Sequence, residues 1–212
     1  MSRARSDSQI KDISNIDAEL TANNANKLIK PLFVAVDLND QEMFLKSLEE
    51  LPTDEITNLA FSPLNFAVQQ LNFEFTTFLL DLRKNPKTTN QKSVFSRGSK
   101  TMSSLVLAVE IGNKEMVDLL TKYRFGCADS EGKSALMHAA IQGNLELCQA
   151  LKSCFGKQDN FGYTALHFAC AYKFTEIVKF LVSEKDIVNS EGQKPIDICK
   201  QMSYQEGIDI LQ

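Results

Sequence analysis

The sequence predicts an all-α solenoid of about six helix-turn-helix units. Three observations support this fold class: one segment recurs along the chain, an apolar stripe at helical spacing follows each copy, and a single two-helix unit cannot bury its own apolar side. The chain has 212 residues, of which 43% are hydrophobic and 24% charged. This composition suits a core of that size and is unlike that of collagen-like, wholly disordered or disulfide-dense chains.

The recurring segment is clearest in the second half of the chain. The segments Ser134–Ala140 and Thr164–Cys170 align without gaps, and each follows an Asp and a Gly at matching places. The segment Gly192–Cys199 is a third copy at the same step, and weaker copies lie upstream in the same phase. The copies are aligned on one anchoring Leu or Ile each. In chain order these residues are Leu32, Leu64, Leu105, Leu136, Leu166 and Ile196.

Each copy predicts a turn, a short helix, a tight reversal and a second helix. A Gly supplies a residue free to adopt positive φ in the turn, and the Ser or Thr that follows can cap the first helix. The second helix is predicted from stripes such as Ile177-Val178-x-Phe180-Leu181, which have helical period. Because each unit would leave one face exposed, the units are expected to stack into one continuous core.

The segment Gly162–Ala169 resembles the ankyrin signature Gly-x-Thr-Pro-Leu-His-x-Ala in all but the Pro. The resemblance covers roughly residues 30–212 and implies a short-period, degenerate ankyrin-only array. The first two copies depart most, since Asn39 and Leu71 replace the Gly between the helices. Lys173 replaces it again in the fifth copy. If the backbone there still requires positive φ, Lys costs about 1 kcal/mol relative to Gly.

Two segments fall outside this pattern. Residues 1–29 form a polar N-terminal segment, expected to be partly disordered or a capping helix. Residues 83–100 form a basic loop insertion with six Lys or Arg and no acid, which accounts for the one long step between copies. We expect a solvated surface loop there, with contact to phosphates or an acidic partner as the alternative. A net charge of -4 makes nucleic acid an unlikely partner overall.

The sequence offers little for catalysis, so we expect no enzyme, no cofactor, no metal and no catalytic residue. The five cysteines are odd in number and lack C-x-x-C spacing, which indicates reduced thiols rather than disulfides or a zinc site. Three of them, Cys148, Cys170 and Cys199, occupy helical core positions, whereas Cys127 and Cys154 lie nearer turns and are candidates for reactive thiols. The resemblance implies that His167 is a hydrogen-bonding residue that braces a turn.

The resemblance also implies a concave binding face, built from the turn tips and the exposed ends of the first helices. Aromatic and Met side chains in such a face have the composition of a binding hot spot. Asp129, Asp159 and Glu110 are expected to set its selectivity. Two alternatives stay open: a loop or residues 1–29 cover the face, or its side chains pack between neighbouring repeats. The candidate protein-binding residues are Glu110, Ile111, Ile141, Gln142, Phe161, Tyr163, Tyr172 and Met202.

These observations predict a non-enzymatic scaffold or adaptor that binds a partner protein through the concave groove. The alternative is a regulatory or inhibitory subunit that occludes the active site of a partner enzyme such as a kinase or phosphatase. We expect a cytoplasmic monomer without a membrane span, since no apolar run is long enough to cross a bilayer. Cytoskeletal association and nuclear entry stay open, and the sequence does not identify the partner.

Overall fold

A computed structural model describes residues 26–50, 63–84, 103–123 and 128–212. These residues form six consecutive helix pairs, and a 3-10 turn follows the second helix in the fourth and fifth pairs, at Lys152–Cys154 and Val182–Glu184. No helix in the described ranges is long and apolar enough to cross a membrane. The helices are α1 (Asn26–Leu38), α2 (Gln41–Glu49), α3 (Pro63–Gln69), α4 (Phe73–Lys84), α5 (Ser104–Ile111), α6 (Lys114–Lys122), α7 (Ala135–Ile141), α8 (Leu145–Ala150), α9 (Ala165–Ala171), α10 (Thr175–Phe180), α11 (Pro195–Gln201) and α12 (Gln205–Leu211).

The helix pairs stack as the repeat predicts, and the all-α solenoid is confirmed. Each first helix from α1 to α9 packs against the first helix of the next pair, and all six first helices lie beside their own second helices. One core cluster runs from Leu32 to Leu211 and includes the anchoring Leu of the first five units. Small side chains such as Ala139 and Ala169 are fully buried, which lets successive first helices approach closely.

Short polar side chains cap the N-termini of six of the twelve described helices. The hydroxyls of Ser103 and Ser134 accept hydrogen bonds from the third backbone N–H of α5 and α7, as predicted for the first helices. At α2, α4, α6 and α8 an Asp or Asn side chain does the same for the second helix. In the last two units Phe174 and Tyr204 occupy this position and provide no side-chain cap.

The reversal between the two helices requires positive φ in every unit. Gly112 and Gly143 fill this position with φ of 74° and 71°. The other four units place Asn39, Leu71, Lys173 and Ser203 there, with φ between 50° and 61°. The geometry is therefore the same throughout, and the condition stated for Lys173 holds.

Two of the described helices overlap segments that the sequence analysis placed outside the repeat pattern. α1 begins at Asn26, inside the segment assigned to the polar N-terminus. α4 continues to Lys84, so the first two residues of the basic insertion are helical. The remainder of that insertion and residues 1–25 lie outside the described residues.

Candidate protein-binding surface

Three tight loops precede α7, α9 and α11, and a carboxylate or amide oxygen organises each loop in the same way. Oδ1 of Asp159 accepts hydrogen bonds from the backbone N–H groups of Phe161 and Tyr163, both at 2.9 Å. Asp129 and Asn189 make the equivalent pair of bonds in the loops before and after it. Local side-chain bonds of this kind fix a turn without help from a neighbouring element. We call the three loops, residues 129–133, 159–163 and 189–193, the fingers.

The fingers are joined to one another through the backbone. The N–H of Asn160 donates to the carbonyl of Glu131 at 3.1 Å, and the N–H of Ser190 donates to the carbonyl of Phe161 at 2.9 Å. Gly162 permits the second contact, because a Cβ there would lie 2.7 Å from the Ser190 nitrogen. The tips therefore form a continuous row held in a fixed relative position.

His167 connects the row of fingers to the first helices. Its Nδ1 accepts a hydrogen bond from the Thr164 N–H at 3.0 Å, and its Nε2 lies 3.2 Å from the Gln193 carbonyl in the next finger. Nδ1 must be unprotonated to accept, so Nε2 carries the proton and donates. Burial lowers the pKa of this imidazole, against the raising effects of the Gln193 carbonyl and of Asp159. The bracing role implied for His167 is confirmed.

The predicted binding residues divide into exposed and half-buried groups. Exposed fractions are 61% for Phe161, 54% for Tyr172, 44% for Met202 and 37% for Ile111. Phe161 is at a finger tip, and the other three are at or just after the C-terminal ends of α9, α11 and α5. Large apolar side chains exposed at repeated positions are typical of an interaction surface.

The remaining predicted residues contribute less apolar surface. Glu110 and Gln142 are exposed, whereas Ile141 and Tyr163 are half-buried. The Tyr163 ring packs edge-on against the buried His167 imidazole, with ring centroids 5.5 Å apart. Part of the Tyr163 side chain is therefore used in packing within the chain. Ile141 is in register with Glu110 of the preceding unit, whereas Gln142 is in register with Tyr172 of the following one.

Two carboxylates expected to set selectivity have internal roles. Asp159 is 8% exposed and its Oδ1 holds its own finger together. Asp129 holds its finger through Oδ1, while its Oδ2 lies 2.9 Å from Nε2 of His138. The other ring nitrogen of His138 lies 3.4 Å from Oε1 of Glu110. Glu110 is the member of the predicted group that remains at the surface.

Two acidic residues that the sequence analysis did not single out are more exposed than Asp129 and Asp159. Glu131 and Glu191 occupy the position of Phe161 in the preceding and following fingers. Aligning the three finger sequences shows that Glu131, Phe161 and Glu191 occupy equivalent positions. The sequence alone was therefore sufficient to identify both glutamates. Glu131 forms an ion pair with Lys133 at 2.6 Å, whereas Glu191 has no ion pair with any described residue.

The cysteines of the described ranges are structural. Cys148, Cys170 and Cys199 are buried in the core as predicted, and burial raises the thiol pKa of Cys148 to about 12. Cys154 is also buried, so its assignment as a candidate reactive thiol is wrong; the 3-10 turn folds it inward. Cys127 lies outside the described residues. Within those ranges no three His, Cys, Asp or Glu side chains converge as metal ligands would.

Comparisons with known proteins agree with this architecture. Family models described as ankyrin repeats match residues 64–158 and 136–182. The crystal structure of EF0377, an ankyrin repeat protein, superposes with a TM-score of 0.62 at 22% identity, covering 86% of this chain and 96% of that one. A chain from the complex of the predatory endopeptidase Bd0816 from Bdellovibrio bacteriovorus with immunity protein Bd3460 superposes with a TM-score of 0.56 at the same identity and coverage.

Two curated relatives share the repeat sequence. Protein phosphatase 1 regulatory subunit 27 of Homo sapiens is 32% identical over 87 residues, which are 38% of this chain and 55% of that protein. The Mus musculus protein of the same name is 27% identical over 128 residues, which are 55% of this chain and 82% of that protein. The match thus spans about half the length of the human relative. From the stacked helix pairs, the bonded fingers and the two overlapping sequence matches, we conclude that this chain belongs to the ankyrin-repeat family of protein-interaction domains.

Proposed function

We propose that this chain is a non-enzymatic scaffold or adaptor that binds a partner protein through its concave face, acting as a cytoplasmic monomer. The observation that carries the proposal is the exposure of Phe161, Tyr172 and Met202 on the fingers and helix ends of successive units. Glu110, Ile111 and Gln142 extend the surface toward the N-terminal units, and Tyr163 and Ile141 support it from half-buried positions.

The frame that presents these side chains supports this assignment. Backbone bonds tie the finger tips together, and His167 ties a first helix to the next finger. A pre-ordered surface loses little conformational entropy on binding, so its affinity depends on a few desolvated anchors. Phe161 and Tyr172 are the two largest exposed apolar side chains on this face.

The test compares the wild-type chain with a variant that carries Phe161→Ser, Tyr172→Ser and Met202→Ser. Both chains serve as bait in quantitative affinity capture from a native cell extract. Val182→Ser is the matched control, because Val182 is an exposed apolar residue on the 3-10 turn after α10, outside the fingers and the first helices. Circular dichroism establishes that all three baits are folded.

We expect a specific protein that the wild-type and Val182→Ser chains retain and the triple variant loses, with a loss of about tenfold or more. A captured protein retained equally by all three baits would place the binding surface elsewhere and contradict the proposal.

The similarity to protein phosphatase 1 regulatory subunit 27 supports a second candidate function, in which this chain regulates a phosphatase by occluding its active site. The test mixes the chain with purified protein phosphatase 1 catalytic subunit and measures both binding and hydrolysis of a phosphopeptide. Inhibition that saturates with binding supports the regulatory function. Binding without loss of activity supports the scaffold, and absence of binding removes this enzyme as a partner.

A further inference from the structure

The exposed ring of Phe161 lies between two carboxylates at equivalent positions of the neighbouring fingers. Glu131, Phe161 and Glu191 are each the third residue of a finger, and the backbone bonds between tips place them in one row. The row therefore presents an acid, an aromatic ring and an acid in sequence.

The charge carried by the fingers is predominantly acidic. Among the finger residues, the carboxylates are those of Asp129, Glu131, Asp159 and Glu191, and those of Glu131 and Glu191 are exposed. Lys133 is the ammonium within the fingers, and it is already paired with Glu131. Outside the fingers, Lys173 just after α9 and Lys200 in the last turn of α11 are exposed. The finger surface attracts cationic groups and disfavours acidic ones.

The spacing of the row sets the spacing of the ligand groups. Stacked helices lie about 8–10 Å apart, so successive finger tips repeat at about that distance. A peptide in the extended polyproline II conformation rises about 3.1 Å per residue with about three residues per turn, so side chains three positions apart lie on one face, about 9 Å apart. A peptide lying along the row thus meets successive fingers with every third residue.

We propose that the row binds an extended peptide segment in which an apolar residue is flanked, three positions to either side, by Lys or Arg. The apolar residue packs on Phe161, and the cations face Glu131 and Glu191. This inference rests on the proposed function and specifies the chemistry of its partner. Because Lys133 already neutralises Glu131, the preference for a basic residue is stronger on the side that faces Glu191.

The test selects ligands from a displayed library of random peptides, each about a dozen residues long, on the full chain. Peptides that also bind Phe161→Ser are removed, and the remaining sequences are aligned on their apolar residue. We expect enrichment of Lys or Arg three positions from that residue, stronger on one side than on the other. Selected peptides should bind Phe161→Ser about tenfold more weakly than the wild-type chain.

Matched variants distinguish the contributions of Glu131 and Glu191 to peptide binding. Glu191→Gln should weaken selected peptides by about threefold and remove the stronger basic preference, whereas Glu131→Gln should have a smaller effect. Glu176→Gln on α10, away from the fingers, is the control and should leave binding unchanged.

Three outcomes would overturn the proposal. They are the recovery of no Phe161-dependent peptide, enrichment of acidic residues or of no charge, and an equal effect of Glu176→Gln and Glu191→Gln. If affinity capture still depends on the concave face while this peptide preference is absent, the proposed function stands and only its partner chemistry is wrong.

Discussion

Oε2 of Glu184 accepts a hydrogen bond from the backbone N–H of Leu166 at 3.0 Å, at the first turn of α9. Oε1 of the same carboxylate accepts from the N–H of Gly156, at the end of the preceding unit, at 2.8 Å. Glu184 is only 2% exposed. One buried side chain therefore satisfies an orphan donor at the start of a helix and also connects two successive units.

Glu184→Ala is expected to lower the free energy of unfolding by about 2 kcal/mol, because it leaves two backbone donors without their charged acceptor. Urea denaturation followed by circular dichroism measures the loss. Glu184→Gln should lose nearly as much, since its amide NH₂ must face one of the two N–H donors.

The control for this prediction is Glu176→Ala, which removes an exposed carboxylate whose recorded partner is Lys179. We expect a change within about 0.5 kcal/mol there. Comparable losses at both positions would mean that the two hydrogen bonds of Glu184 contribute little to stability.

Lys173→Gly is expected to stabilise the chain. Lys173 has φ of 61° and an exposed side chain, so the change relieves backbone strain without removing packing. The gain is at most about 1 kcal/mol, which corresponds to a rise in Tm of about 2–4 °C for a chain of this size. Differential scanning calorimetry measures it.

Two variants control for the origin of that gain. Lys173→Ala keeps the strained backbone and should show no rise in Tm. Leu71→Gly relieves a similar φ of 53° but removes a half-buried side chain that packs on the core, so it should destabilise the chain. A rise in Tm for Lys173→Ala would show that removal of the lysine side chain, rather than relief of backbone strain, produces the effect.

The sequence predicts the fold well because the signals that specify it are local and repeated. The step between copies, the Gly in each finger and the Ser or Thr before α5, α7 and α9 all recur within short windows. Lys173 was predictable for the same reason, since it stands in register with Gly112 and Gly143.

The contacts that join units were harder to predict. Nothing in the sequence around Glu184 distinguishes it from a surface glutamate, because its two donors come from residues 18 and 28 positions earlier in the chain. Asp159 was assigned to the surface for a similar reason, since a carboxylate that bonds its own loop has the same local sequence as one that faces a partner.

Gly162 and Gly192 form a matched pair that tests the connection between fingers. Both have positive φ, of 80° and 75°, so replacement by Ala costs each about 1 kcal/mol through backbone strain. A Cβ at Gly162 would also lie 2.7 Å from the Ser190 nitrogen, whereas a Cβ at Gly192 would meet no atom within 4 Å. Gly162→Ala should therefore destabilise the chain more than Gly192→Ala in urea denaturation.

Hydrogen exchange locates the extra loss. In Gly162→Ala the Ser190 amide should exchange faster than in the wild-type chain, because its bond to the Phe161 carbonyl is disturbed. Equal losses of stability and unchanged Ser190 exchange would mean that the fingers are not coupled through this bond.

The stability of the chain is expected to depend on pH through His167. Burial lowers the pKa of His167 in the folded chain below its unfolded value of about 6.5. Between those two values the unfolded chain binds more protons than the folded chain, so the free energy of unfolding decreases as pH falls. The stabilisation is fully present above about pH 6.5 and is lost progressively below it, by at most about 1.4 kcal/mol per pH unit.

The measurement compares urea denaturation of the wild-type chain and His167→Gln at pH 7.5 and pH 5.5. Gln at this position keeps an oxygen that can accept from the Thr164 N–H but does not titrate, as in the Ser/Thr-x-x-Gln capping arrangement. His138 and the carboxylates are present in both chains, so the difference between the two pH dependences reports on His167. The wild-type chain should lose more stability than His167→Gln over this range, and identical losses would show that His167 titrates alike in the folded and unfolded chains.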